Sequence, residues 1–227
     1  MTHDAATTSG PPVVEAKDLA LEYRDGERRI CAVDGVDLAL HRGEFLGLVG
    51  PSGSGKSSLL FLLAGLRAPD RGHVHLLGSP LPPRPDVSAP LRRKHVGILF
   101  QEPFLVPYLS VRENALVHTV DPEAPERVEA LAAAIGMAAM LGERPHRLSG
   151  GERQRAGILR ALAGAPDLLL ADEPTGNLDQ ETGRKVMRLL REQGRDAALL
   201  VVTHDASMLD GADRVLRLVD GRLEAVD

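Results

Sequence analysis

The sequence predicts an α/β fold with a mostly parallel sheet, an N-terminal antiparallel β subdomain and an inserted helical subdomain. Three observations point there. Short apolar runs, "EFLGLV", "HVGILF", "DLLLAD" and "AALLVVTHD", read as buried strands. Helical patterns separate several of them, and strands alternating with helices favour a parallel sheet covered on both faces. A strand-poor stretch from Gln101 to Ala161 interrupts that alternation.

Residues 1–12, "MTHDAATTSGPP", lack the basic start and apolar core of a secretory signal, and are expected to form a disordered tail. From Val13 to about Leu40, "VVEAKDLALEY" and "AVDGVDLAL" alternate apolar and polar residues. Antiparallel strands with turns at Asp25-Gly26 and Asp34-Gly35 are expected there. "EFLGLV" ends at Gly50, and a helix should run from about Lys56 to Leu66. A Pro-rich connection from Pro80 to Pro90 leads to "HVGILF". In the helical stretch, "ERVEALAAAIGMAAML" places Val128, Leu131 and Ile135 near one face. "DLLLAD" and "AALLVVTHD" then flank the helix "ETGRKVMRLLREQG". The expected organisation is one domain over 13–227, with its core and β subdomain in 13–100 and 162–227 and the helical subdomain in 101–161. Ligands of such sheets gather at the carboxyl ends of strands, so chemistry is expected just after Val49, Phe100, Leu170 and Thr203.

Composition narrows the function. The chain has 227 residues, 43% of them apolar and 26% charged, with a formal net charge of −5. That balance describes a soluble globular protein and argues against a general nucleic-acid binder. Cys31 is the single cysteine, so no internal disulfide can form, which fits a reducing compartment. The longest apolar run, "LLFLLAGL", falls far short of the ~20 residues a membrane-spanning helix needs.

"GPSGSGKSS" satisfies G-x-x-x-x-G-K-[ST] through Gly50, Gly55, Lys56 and Ser57, with Ser52, Gly53 and Ser54 inside the loop and Ser58 after it. Backbone N–H groups of such a loop turn inward around phosphate oxygens. Lys56 reaches the β- and γ-phosphates and the Ser57 hydroxyl ligates Mg²⁺. The pattern implies a P-loop NTPase core. "LLLADEP" ends in two acids. Asp172 is placed to hold Mg²⁺ through water and Glu173 to take a proton from an attacking water. Gln101 and His204 follow two other strands; the glutamine could touch Mg²⁺ or water, the histidine a γ-phosphate oxygen. A second anion-ready device, "LSGGERQRA" from Leu148 to Ala156, opens a helix with Ser149, Gly150, Gly151 and Glu152 in a capping-box arrangement.

In this order the pieces resemble the nucleotide-binding subunit of ABC transporters, over nearly the whole chain from Val13 to Asp227. "LSGGERQRA" looks like that family's signature motif, and Tyr23, Gln101, "LLLADEP", "TGNLD" and "VTHD" fall in register with its other marks. "DEPTGNLD" is similar to the branch serving lipoprotein release, macrolide export and the cell-division pair. The resemblance implies an ATP hydrolase whose two copies pack head to tail. Each ATP, with its Mg²⁺, lies between one copy's phosphate loop and the other's signature helix. It further implies that Tyr23 stacks on adenine, that Asp179 links the two sites across the dimer, and that Ser58 replaces the usual threonine without loss of ATP binding.

The partner the resemblance implies is an integral membrane permease, which would hold the chain on the cytoplasmic face of the membrane. Phe104, Leu105, Val106 and Leu109 around Pro107 form the candidate groove for it. A soluble ABC ATPase acting on nucleic acid or ribosome is the alternative, but such relatives usually fuse two nucleotide domains or insert long coiled coils. A P-loop kinase or GTPase is opposed by "LSGGERQRA" and His204.

Overall fold

A computed structural model describes residues 10–26, 28–176 and 178–225 of the chain. Of the tail expected over residues 1–12, residues 1–9 lie outside these, as do Asn177 of "TGNLD" and the last two residues. Two sheets carry the fold. β1 (Val14–Asp25), β2 (Arg28–Leu40), β4 (Arg71–Leu76) and the short β5 (Ser79–Pro80) form an antiparallel sheet in the order β2-β1-β4-β5. β3 (Phe45–Val49), β6 (Val96–Leu99), β7 (Leu168–Asp172), β8 (Ala198–Val202), β9 (Arg214–Val219) and β10 (Arg222–Ala225) form the second, ordered β10-β9-β3-β8-β7-β6. Its pairs are parallel except β10 with β9.

The central strands are apolar throughout because both faces are covered. Leu168, Leu170, Leu200 and Val202 point into a core shared with Leu59, Leu60, Leu62 and Leu63 of α1 (Lys56–Leu63) and with the antiparallel sheet. Leu169, Ala171, Leu199 and Val201 point the other way, onto α5 (Gly150–Leu162) and α6 (Gln180–Gln193) through Ile158, Leu159, Met187 and Leu190. Each fully buried leucine or valine contributes about 1.5–3 kcal/mol, so an apolar strand with both faces covered anchors this sheet.

Between β6 and β7 the described residues contain helices and no strand: α3 (Val111–Leu116), α4 (Ala124–Ala134), two 3₁₀ turns and α5. Val128 and Leu131 are buried and Ile135 is partly so, which places the apolar face as the spacing suggested.

Three local expectations need correcting. Asp34-Gly35 is no turn. It is a bulge inside β2, where the pairs Leu19↔Val36 and Leu21↔Val33 leave an extra residue and Gly35 takes φ 64. The Pro80 to Pro90 stretch is not merely a connection, since it pairs as β5 and then starts α2 (Pro85–His95). Pro85 fits the first helical position, and Pro90 is carried inside the helix. α1 stops at Leu63 rather than Leu66, because Gly65 turns the chain at φ 63.

Candidate active site

Gly50 to Ser57 turns from β3 into α1, and crowding dictates the glycines. A Cβ on Gly55 would stand 1.8 Å from the Ala32 carbonyl oxygen, and one on Gly50 would stand 2.2 Å from that of Leu218. Gly55 also takes φ 100, a conformation that side chains resist. The loop therefore lies directly on the backbones of β2 and β9. Ser52 and Gly53 are exposed, while Ser54 is buried and its Oγ has no hydrogen-bond partner among the described residues. Among the described residues α1 begins with no side-chain cap and no acid in its own first turn, so the positive end of its dipole is free to meet an anion from outside the helix. Lys56 Nζ donates to the Gly50 and Pro51 carbonyl oxygens, each at 2.8 Å, which holds the ammonium against the loop.

Asp172 closes β7 beside this loop. Burial raises its carboxyl pKa, the facing Ser57 hydroxyl opposes that rise, the Glu173 charge adds to it and the Lys56 ammonium lowers it. Ser57, Lys56 and Asp172 thus share one spot. Among the described residues no group of three or more His, Cys, Asp or Glu side chains could hold a metal by itself. A hydroxyl and one carboxylate are hard oxygen donors, and they fit Mg²⁺ that keeps water and phosphate as its remaining ligands.

Glu173 takes φ 47, an uncommon backbone for a side chain of its size, fixed by its N–H donating to the Val202 carbonyl at 2.8 Å. Its carboxylate accepts from Thr203 Oγ1 at 3.2 Å and meets His204 Nδ1 at 2.9 Å. The glutamate is mostly covered while the histidine is open, at 14% and 71% side-chain exposure, so His204 stands between Glu173 and solvent. Gln101 joins from the next strand end: a Cβ on Gly176 would lie 3.5 Å from the Glu173 carbonyl and 3.7 Å from Gln101 Nε2.

The second device has the expected form. Ser149 Oγ accepts from the Glu152 N–H at 3.3 Å, and Glu152 Oε2 accepts from the Ser149 N–H at 2.7 Å, completing the capping box at the start of α5. The Ser149 hydroxyl first, then its N–H, holds the Glu152 carboxyl below the usual range. Among the described residues nothing lies within 4 Å of a Cβ on Gly150, and one on Gly151 would meet Leu178 and Arg155 at 3.6 and 3.8 Å. This helix start is open.

Tyr23 is half buried against the core that includes α1. Its hydroxyl lies 3.3 Å from Ser58 Oγ, and the Arg67 guanidinium stands 5.4 Å from its ring centroid. Asp179 caps α6, accepting from the N–H groups of Glu181 and Thr182 at 3.1 and 3.0 Å, and those bonds hold its pKa down. The groove residues divide. Phe104 is 68% exposed, while Leu105, Val106 and Leu109 are partly covered.

A sequence profile described as "ABC transporter" matches residues 33–176, which takes in the phosphate loop, the open helix start and the two acids. The chain belongs to the ABC transporter family. This ABC cassette is 42% identical over 220 residues to the "Uncharacterized ABC transporter ATP-binding protein YbbA" of Escherichia coli (strain K12), covering 93% of this chain and 96% of that one. It is 40% identical over 223 residues to the "Lipoprotein-releasing system ATP-binding protein LolD" of Pseudomonas syringae pv. tomato, covering 95% and 98%. The "Macrolide export ATP-binding/permease protein MacB" of Psychrobacter cryohalolentis is 37% identical over 228 residues, but the cassette spans only 34% of that longer protein. The branch named by these relatives is the one "DEPTGNLD" suggested. Among solved structures, the dimeric ABC transporter cassette MJ0796 superposes with a TM-score of 0.84 at 33% identity, covering 94% of this chain and 99% of that one. Its post-hydrolysis state bound to ADP and Pi gives 0.83 at 32%, covering 94% and 99%.

Two further groups of the cassette escaped the sequence reading. Thr203 supports Glu173 and accepts from the Asp205 N–H at 3.1 Å. Gln154, 2% exposed, donates from α5 to the Pro174 carbonyl at 3.0 Å, next to Glu173. Thr203 sits beside His204 at a strand end, a position that could have flagged it. Gln154 gave no signal, because only the packed α5 shows what it faces.

Proposed function

We propose that the chain is the ATP-hydrolysing motor subunit of a transporter, closing as a homodimer around two ATP to drive a separate membrane permease of exporter or force-transmitting type. The observation that carries this is the open, capped start of α5. It is a second anion-ready helix end, built in addition to the phosphate loop and left uncovered by the described residues of its own chain. In a head-to-tail pair it would meet the γ-phosphate bound by the partner's loop.

In this reading Gly50 to Ser58 cradles the triphosphate, Tyr23 stacks on adenine and Asp179 lies near the partner's site. Ser57, Asp172 and Gln101 would hold Mg²⁺, which would supply charge neutralisation at the phosphates. Glu173 accepts a proton from the water whose oxygen bonds to the γ-phosphorus as the bond to the β-phosphate oxygen breaks, releasing ADP and phosphate. His204 donates to the γ-phosphate and orients that water. No described helix is long and apolar enough to cross a membrane, so the permease would place the chain on the cytoplasmic side of the membrane. No nucleic acid is required.

Glu173→Gln should bind ATP–Mg²⁺, cease turnover and elute as a dimer at saturating ATP. A monomeric elution volume for that variant would defeat the shared-site reading.

A further inference from the structure

α5 grips more than the chain's second anion-ready surface. Half-buried Arg160, near its carboxyl end, donates Nη1 to the Phe104 carbonyl at 3.0 Å and Nη2 to that of Pro103. Burial alone pushes this guanidinium below its usual pKa, and no carboxylate among the described residues pairs with it. Its neighbour His118 offers no negative charge, and burial first, then the Arg160 and Arg93 charges, push the imidazole pKa down. A desolvated cation with no counter-ion is costly, so these two loop carbonyls are its compensation.

The segment they belong to is under tension of its own. Phe104 takes φ 43, a strained backbone for an aromatic residue, and its ring meets that of Phe100 edge-on at 5.6 Å. From below, Gly157 of α5 leaves room for the loop, since a Cβ there would stand 2.8 Å from Pro103 Cβ. Gln101 is two residues upstream. Downstream, Phe104 and Tyr108 are 68% and 72% exposed. The same helix carries Ser149 and Glu152 at its start and Gln154 on Pro174, with Arg160 about 15 Å along the axis.

We propose that Arg160 is a positioning residue that latches the Gln101–Phe104 loop to α5, so that a load on exposed Phe104 and Tyr108 moves Gln101 and the Ser149 helix start as one body. The inference rests on the functional reading above and adds the part that joins its docking side to its catalytic side.

The test uses the full chain with Arg160→Met and Arg160→Lys, read by amide hydrogen exchange over 101–106 and by ATPase kinetics. Arg160→Met should speed loop exchange about tenfold and lower kcat about tenfold, with ATP affinity within about twofold of the parent. Arg160→Lys keeps the cation but loses the planar fork, and should fall between. If Arg160→Met also loosens α4, Gly157→Ala decides in its place, since it displaces Pro103 with Arg160 intact and should give the same pattern. Unchanged loop exchange, a freed loop with unchanged kcat, or ATP affinity falling in step with kcat would each overturn the latch. A parent chain without ATPase would defeat the functional reading, and the exchange measurement would still report whether the latch exists.

Discussion

At the scale of residues, the site is held by close approaches that tolerate little change. Gly55 is the tightest, with no room for a methyl group beside the Ala32 carbonyl. Gly55→Ala should lose more than about 2 kcal/mol of stability, seen as a lower urea midpoint with an unchanged slope. Thr203 is a different case. Its hydroxyl donates to the Glu173 carboxylate, and it is almost completely buried. Thr203→Val keeps the shape and removes the hydrogen bond, so kcat should fall about tenfold while ATP affinity stays within about twofold. Steady-state kinetics beside equilibrium binding separates those two effects. Lys56→Ala removes the cation that the loop carbonyls hold, and should abolish measurable ATP binding by calorimetry.

Elements explain why these residues stand where they do. Strands β3, β7 and β8 end together because their pairing is parallel and in register, which lines up Gly50, Glu173 and Thr203 at one edge. The α5 start depends on its box. Ser149→Ala should destabilise the chain by about 1 kcal/mol, the usual cost of a lost cap, measured by urea unfolding. The Glu152 carboxyl should titrate below the ordinary glutamate range by NMR, and Ser149→Ala should return it towards that range. A depressed acid stabilises the fold above its unfolded pKa, and that contribution fades as pH falls through the lower, folded value. The cap should therefore hold through neutral pH and fail only in acid.

For the whole molecule, the two faces of the parallel sheet serve separate tasks. One packs α1 and the antiparallel sheet beneath the phosphate loop, and the other carries α5, α6 and the helical stretch. A single chain thus presents a phosphate loop and an open α5 start as distinct surfaces, and head-to-tail pairing would give each a complement. Chelation of Mg²⁺ should stop ATP turnover but leave the urea midpoint of the nucleotide-free chain unchanged, because the described residues hold no metal cluster on which the fold depends.

Much of this was legible in order along the chain. The sequence by itself determined the phosphate loop, the two acids, the capping box and the buried strands, because each is a local pattern whose chemistry needs only its neighbours. Even the missed β9–β10 hairpin had a local sign, an Asp220-Gly221 turn with φ 47 and 78. Others were illegible in principle. That Asp34-Gly35 bulges rather than turns follows from register against β1. That Arg67 stands over Tyr23, Gln154 holds Pro174 and Arg160 holds Pro103 follows from how distant segments pack. Only the tertiary structure decided these, since a side chain's partner across space is set by the whole core and leaves no periodicity or spacing behind.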